Sequence, residues 1–115
     1  MRNAIYCLVA TTVSTFASPV SAADFDGYGT GNKLLATCES TIFYTVSDCL
    51  PYIAGAIDMG ELDVTGQPKR WCRGPGVSLG QQKDIIIKYL KDHPERRHFP
   101  SGALVWQAMR EAFPC

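Results

Sequence analysis

The sequence predicts a small all-α domain, a bundle of about four helices stapled by two disulfides. Apolar residues recur at spacings of three and four from Val46 to Ile57 and again from Leu104 to Phe113, which is the period of a helix rather than of a strand. Four of the five cysteines follow a predicted export signal, and an even number of cysteines in a small exported domain indicates a disulfide framework.

The first 22 residues have the three regions of a secretory signal peptide in the right order. Arg2 provides a positive charge, residues 4–17 are apolar or small, and Val20 and Ala22 are small side chains at the positions that signal peptidase reads. A buried N-terminal helix is the alternative. We therefore expect cleavage near Ala22, a mature domain over residues 23–115 and localisation in the periplasm.

The charge balance excludes several classes of partner. The 115 residues contain 11 Lys and Arg against 11 Asp and Glu, and removal of Arg2 with the signal leaves one excess negative charge. A nearly neutral chain lacks the excess of positive charge that attracts nucleic acid or an anionic membrane surface. We expect no nucleic acid partner and no membrane span in the mature chain.

The first half of the mature chain contains two predicted helices. Thr30 or Asn32 caps a short helix that turns Leu34 and Leu35 inward. Residues 39–45 form either a loop or the frayed start of the next helix. That helix carries the apolar stripe up to Ile57, with Ser47 as N-cap and Pro51 in its first turn.

The second half begins with the longest loop, residues 61–76, which contains the turn signals Gly-Gln-Pro and Gly-Pro-Gly. Ser78 and Gln81 have the spacing of a capping box and open a third helix, which Pro94 prevents from continuing. The segment around Ser101 starts the last helix, and Pro114 follows its end.

Cysteine pairing follows from this order of helices. Cys38 ends the first helix and Cys49 begins the second, whereas Cys72 precedes the third helix and Cys115 follows the fourth. Antiparallel neighbours bring each pair to one end of the bundle, so we favour Cys38 with Cys49 and Cys72 with Cys115 among the three possible connectivities. Zinc is the alternative, but the cysteines are spread singly with no C-x-x-C pair.

No group of residues has the pattern of a catalytic or cofactor site. His93 and His98 flank Pro94, which denies them the helical spacing of a metal-binding pair. The cysteines are better used in disulfides, and none has a local activating signature. The sequence therefore predicts neither an enzyme, nor a metal site, nor a cofactor.

Several motifs together resemble the Rap/Tai family of periplasmic immunity proteins. They are a G-N-x-L-L-x-x-C start, an H-P-E-x-R-H turn and an F-P-C end, and they extend over nearly the whole mature chain. The matching segments are Gly31–Cys38, Tyr52–Asp58, Trp71-Cys72, Tyr89–His98 and Ala112–Cys115.

The resemblance implies a function in protein binding. Members of the family protect bacteria against peptidoglycan amidase effectors delivered by type VI secretion. An all-α homodimer that occludes the active-site groove of such an amidase is therefore implied for this chain. The alternative is a small envelope stress or chaperone-like protein that has no dedicated toxin.

The contact surface is expected on the variable segment from Asp58 to Arg70. Aromatic side chains beside charged ones are a common composition of protein interfaces. The alternative is a solvated loop held only by Cys72. The predicted partner-binding residues are Asp58, Glu61, Asp63, Lys69, Arg70 and Trp71.

Overall fold

The computed structural model describes residues 29–62 and 65–115. The predicted signal peptide and Asp63 lie outside these residues. The described residues contain no strand, and four helices of eight residues or more confirm the predicted all-α class. The elements are α1 (Gly31–Cys38), α2 (Phe43–Val46), α3 (Cys49–Glu61), α4 (Leu79–Asp92), a 3-10 turn (Pro94–Arg96) and α5 (Ser101–Ala112).

The start of α1 is fixed against the start of α5. Thr30 is the N-cap of α1, and its hydroxyl accepts a hydrogen bond from the Lys33 N–H. Thr30 also forms an isolated antiparallel bridge with Pro100. A Cβ on Gly31 would lie 2.4 Å from Leu104 Cδ1, so any larger residue at this position would force the Leu104 side chain to move.

Residues 39–48 form neither a plain loop nor a continuous start of α3. They contain the one-turn helix α2, after which α3 begins at Cys49. The prediction of Ser47 as N-cap is wrong: Asp48 occupies that position, and the Ser47 hydroxyl instead donates to the Tyr44 carbonyl at 2.9 Å. Ser47 is the C-cap of α2, so the N-cap position of α3 falls on the next residue.

The capping box at the start of α4 is confirmed. The Ser78 hydroxyl accepts from the Gln81 N–H at 3.2 Å, and the Gln81 side-chain oxygen accepts from the Ser78 N–H at 2.8 Å. These reciprocal bonds satisfy two backbone donors that a helix start leaves free. The helix ends at Asp92, two residues before Pro94.

Helix α5 is the centre of the bundle, since it packs against α1, α3 and α4. It buries one continuous apolar face, and α1, α3 and α4 supply the facing side chains. The core side chains with no more than 2 % exposure are Leu34, Cys49, Ile53, Ile57, Ile86, Leu90, Leu104, Val105, Ala108 and Met109.

Two disulfides confirm the favoured pairing. Cys38 bonds to Cys49 across 11 residues, and Cys72 bonds to Cys115 across 43 residues. In the chain-entropy description these cross-links stabilise the fold by about 3 and about 4 kcal/mol, because the longer closed loop restricts the unfolded chain more. The cysteines are thus used as staples, and the zinc alternative is wrong.

None of the helices in residues 29–62 and 65–115 combines the length and apolar character needed to cross a membrane.

Candidate interaction surface

The loop between α3 and α4 is anchored by the indole of Trp71, which lies directly on the backbone of Gly60. Trp71 is only 4 % exposed. A Cβ on Gly60 would lie 2.0 Å from Trp71 Cη2 and 2.9 Å from Trp106 Nε1. A side chain at position 60 would therefore occupy the space that the indole of Trp71 fills, and the missing side chain makes this loop position possible.

Glu61, the last residue of α3, accepts hydrogen bonds from Trp71 and Arg73, the two loop residues that flank Cys72. Its Oε1 accepts a hydrogen bond from Trp71 Nε1 at 2.9 Å, and its Oε2 accepts one from Arg73 Nη2 at 2.8 Å. Arg73 Nε donates to the same carboxylate, so the Arg73 contact is bidentate. One carboxylate thus holds the loop on either side of Cys72.

These contacts shift the pKa values of Glu61 and Arg73 so that the charged form of each is favoured. The hydrogen bonds from Arg73 hold the pKa of Glu61 below its ordinary value; partial burial opposes this shift, and the bond from Trp71 supports it. The carboxylate of Glu61 in turn raises the pKa of Arg73, to which the more distant charge of Asp58 adds. Both groups are therefore charged over the physiological pH range.

Arg70 forms a second connection between the loop and the bundle. Its Nη1 donates to the Gly60 carbonyl at 2.9 Å, and its guanidinium lies 4.5 Å from the centre of the Trp106 ring. Trp106 Nε1 donates to the Ala56 carbonyl at 2.7 Å. The cation is thus stacked on an indole that is itself fixed between α3 and α5.

The C-terminus closes the other side of the loop. The Cys72 N–H donates to the Phe113 carbonyl at 2.8 Å, beside the Cys72–Cys115 disulfide. The Cys115 sulfur lies 3.9 Å from the Lys69 carbonyl oxygen. Because this sulfur is bonded to Cys72 and carries no hydrogen, the approach is a packing contact and not a hydrogen bond.

These elements border an open groove of about 610 Å³ between the end of α3 and the loop. We call it the loop groove. The cations Lys69, Arg70 and Arg73 lie along it, and Arg73 is paired with Glu61. The described residues that line it are Gly60, Glu61, Leu62, Gln67, Lys69–Pro75.

Three of the predicted contact residues, Glu61, Lys69 and Arg70, are exposed and border the loop groove, and Glu61 is paired with Arg73. Asp58 is also exposed, on the last turn of α3, close enough for its charge to act on Arg73. Trp71 is buried, so its contribution to a surface is to hold the loop in place. The assignment of these residues to a partner surface stays a prediction.

Sequence reasoning missed three residues of this arrangement: Gly60, Arg73 and Trp106. Gly60 gives no sign in the sequence that its backbone lies against an indole. Arg73 stands two residues after Trp71, so the spacing that lets both bind one carboxylate was present in the sequence. Trp106 had no local signal, because its partners are about 50 residues away.

A second exposed feature is the tip formed by Ile42, Phe43 and Tyr44 at α2. These side chains are 63 %, 75 % and 82 % exposed, although large apolar side chains in a row are normally buried. The Cys38–Cys49 disulfide closes the segment that carries them.

Comparisons with known proteins give one family. A sequence profile of the family described as Rap1a immunity proteins matches residues 30–115. No curated protein and no solved structure matches the chain. The match covers α1 to the C-terminus, and it therefore includes the loop groove and both disulfides.

Two glycines of α3 provide a matched test of the Trp71 anchor. We expect Gly60→Ala to lower the free energy of unfolding by about 1–3 kcal/mol, because the new methyl group overlaps the indole. Gly55→Ala, where nothing lies within 4 Å of the added Cβ, should instead stabilise the helix by about 0.5–1 kcal/mol. Urea unfolding measures both; equal effects would contradict the anchor.

The Glu61 carboxylate gives the anchor a defined pH dependence. Since its folded-state pKa is lowered, its stabilisation is present in full above the ordinary pKa of glutamate and is lost as the pH falls through the lowered value. We expect Glu61→Gln to remove this part of the acid sensitivity, at most about 1 kcal/mol for an exposed pair. Urea unfolding at a series of pH values measures it. A difference in the free energy of unfolding between wild type and variant that stays constant from neutral to acid pH would contradict the assignment of this pH dependence to Glu61.

Proposed function

The chain belongs to the Rap1a immunity protein family, and from this premise we propose that it neutralises a type VI peptidoglycan amidase effector by binding it. The family implies an immunity protein whose partner is a toxin effector, and therefore an inhibitor rather than an enzyme. The amidase class of the effector and occlusion of its active-site groove are the finer parts of this proposal, which the resemblance of the sequence motifs supports.

One observation favours the loop groove as the contact surface: its loop is held in position before any partner arrives. Trp71, the Glu61 carboxylate and the Cys72–Cys115 disulfide hold one short segment against α3 and α5. A segment fixed in this way loses little conformational entropy when it binds. Its exposed cations Lys69 and Arg70 are therefore available for an effector at little ordering cost.

The proposed place of action is the periplasm. Two disulfides in a small domain are typical of an oxidising compartment, and the family is consistent with it. The predicted signal peptide over residues 1–22 is part of this proposal, as is the homodimer that the resemblance implies.

Charge reversal at one exposed lysine tests the contact surface. Lys69 borders the loop groove, and no ion pair of its side chain is found with the described residues. We expect Lys69→Glu to weaken binding of the amidase effector by about ten-fold or more, because an interface cation becomes an anion. Binding of purified proteins and survival of cells exposed to the effector in the periplasm measure it.

Lys33→Glu is the matched control, since it makes the same change in net charge. Lys33 follows Thr30, which is bridged to the start of α5, whereas the loop groove lies at the end of α5. The two ends are about 18 Å apart along this helix. Equal weakening by both variants would contradict the loop groove as the contact surface, and wild-type protein that neither binds nor protects would contradict the immunity function.

A second candidate, the chaperone-like stress protein, is favoured by the exposed tip. Three adjacent apolar side chains in water are a feature of surfaces that bind other proteins. On this hypothesis the protein suppresses aggregation of a chemically denatured client, and Phe43→Ser with Tyr44→Ser abolishes the effect. Light scattering measures it; the absence of protection at every pH between about 5 and 8, where folded proteins are generally most stable, would eliminate it.

A further inference from the structure

The two disulfides of this domain differ in their access to solvent. Cys49 is 2 % exposed and belongs to the hydrophobic core, and Cys38 is half-buried against that core. Cys72 and Cys115 are both exposed. Thiol-disulfide exchange requires a thiolate to reach one of the sulfurs, so a reductant in solution reaches the second bond more easily than the first.

The exposed bond also holds a different part of the molecule. Cys38–Cys49 closes the connection between α1 and α3, which lies outside the loop groove. Cys72–Cys115 joins the loop groove to the end of the chain, beyond the last residue of α5. Only two residues lie between Ala112, the end of the helix, and Cys115, so the disulfide ties the loop to a rigid element.

Phe113 packs against the core and its N–H donates to the Met109 carbonyl, but few other contacts hold the two residues that follow it. After α5 the described contacts to the loop are the hydrogen bond from Cys72 to the Phe113 carbonyl and the approach of Cys115 to Lys69. The contact of Cys115 depends on the two cysteines staying side by side. Loss of the covalent bond therefore frees Pro114 and Cys115, and it leaves the loop with the contacts of Trp71, Arg70 and Arg73 and the backbone hydrogen bond to Phe113.

We propose that the Cys72–Cys115 disulfide is a redox latch on the loop groove, which a dithiol reductant opens while Cys38–Cys49 stays closed. One thiolate of the dithiol attacks an exposed sulfur and forms a mixed disulfide, releasing the other cysteine as a thiolate. The second thiol of the reductant then displaces the remaining cysteine. The reductant becomes a disulfide, and Cys72 and Cys115 together gain two electrons and two protons.

Opening the latch has a consequence for the partner, and this step rests on the proposed function. With the disulfide open, Lys69 no longer occupies a fixed position and Arg70 is held by its non-covalent contacts with Gly60 and Trp106 alone, so a partner must order more of the loop when it binds. The domain is then competent to bind only after oxidation, which occurs outside the cytoplasm. The latch thus limits activity to the compartment that contains the proposed effector.

Graded reduction of the oxidised, exported protein tests the order of opening. Dithiothreitol is added in increasing concentration, free thiols are alkylated, and mass spectrometry assigns each modified cysteine. We expect Cys72 and Cys115 to be modified at lower dithiothreitol than Cys38 and Cys49, with the helical circular dichroism retained. Simultaneous reduction, the reverse order, or loss of helix together with the exposed bond would overturn the latch.

Proteolysis at the same dithiothreitol concentrations reports on the loop without any partner. Trypsin has sites in it at Lys69, Arg70 and Arg73. We expect cleavage there to accelerate by about ten-fold once the exposed bond is open, because cleavage follows the population of the open segment. An unchanged rate would mean that the non-covalent contacts suffice, and the proposal would be wrong.

Paired cysteine variants provide the control. Cys72→Ala with Cys115→Ala should show fast loop cleavage without reductant, whereas Cys38→Ala with Cys49→Ala should retain the slow cleavage of the wild type and still respond to dithiothreitol. Equal loop cleavage in the two double variants would overturn the assignment of the latch to one bond.

Binding of the amidase effector forms the last arm. We expect affinity to be lost at the dithiothreitol concentration that opens only the exposed bond, and to be weak in Cys72→Ala with Cys115→Ala at any concentration. If the oxidised protein never binds the effector, the proposed function is wrong. The alkylation and trypsin experiments still test whether the Cys72–Cys115 disulfide is a latch on the loop. If binding survives opening of the loop, the latch does not control binding.

Discussion

The close approach of the Trp71 indole to the Gly60 backbone determines the shape of the region between α3 and α4. The absence of a side chain at Gly60 creates the space, and the nearly complete burial of Trp71 fills it. Burial of one large aromatic ring contributes up to about 3 kcal/mol. The contact therefore decides where the chain leaves α3 and how it reaches α4.

The polar contacts around this ring follow from its position. The indole N–H needs an acceptor when it is buried, and Glu61 at the end of α3 supplies one. The same carboxylate then attracts Arg73, and the Gly60 carbonyl accepts from Arg70. A ring buried for hydrophobic reasons thus orders two charged side chains of the loop, which links the packing of the domain to its candidate binding surface.

The two disulfides serve this small domain in different ways. Cys49 is part of the apolar core, so its bond to Cys38 joins the packing of α1 and α3. The bond from Cys72 to Cys115 lies on the surface and joins a loop and a terminal segment that touch the core only through Trp71 and Phe113. Among the described residues, a core of thirteen buried apolar side chains supports four helices, and the segments outside it depend more on covalent and polar contacts.

The sequence by itself predicted the four longer helices, the cap at Ser78 and, as one of two candidates, the cap at Thr30, and it favoured the observed pairing of the cysteines, because periodicity, capping and chain order are local or depend on the order of elements alone. Only the tertiary structure decided that Trp71 is buried and that Ile42, Phe43 and Tyr44 are exposed. The exposed segment is apolar, whereas the buried Trp71 stands among basic residues, so the burial of these aromatic side chains depends on what lies opposite them. Opposite Trp71 lies the backbone of Gly60 in α3, beside Trp106 of α5. These groups come together only when the helices have packed.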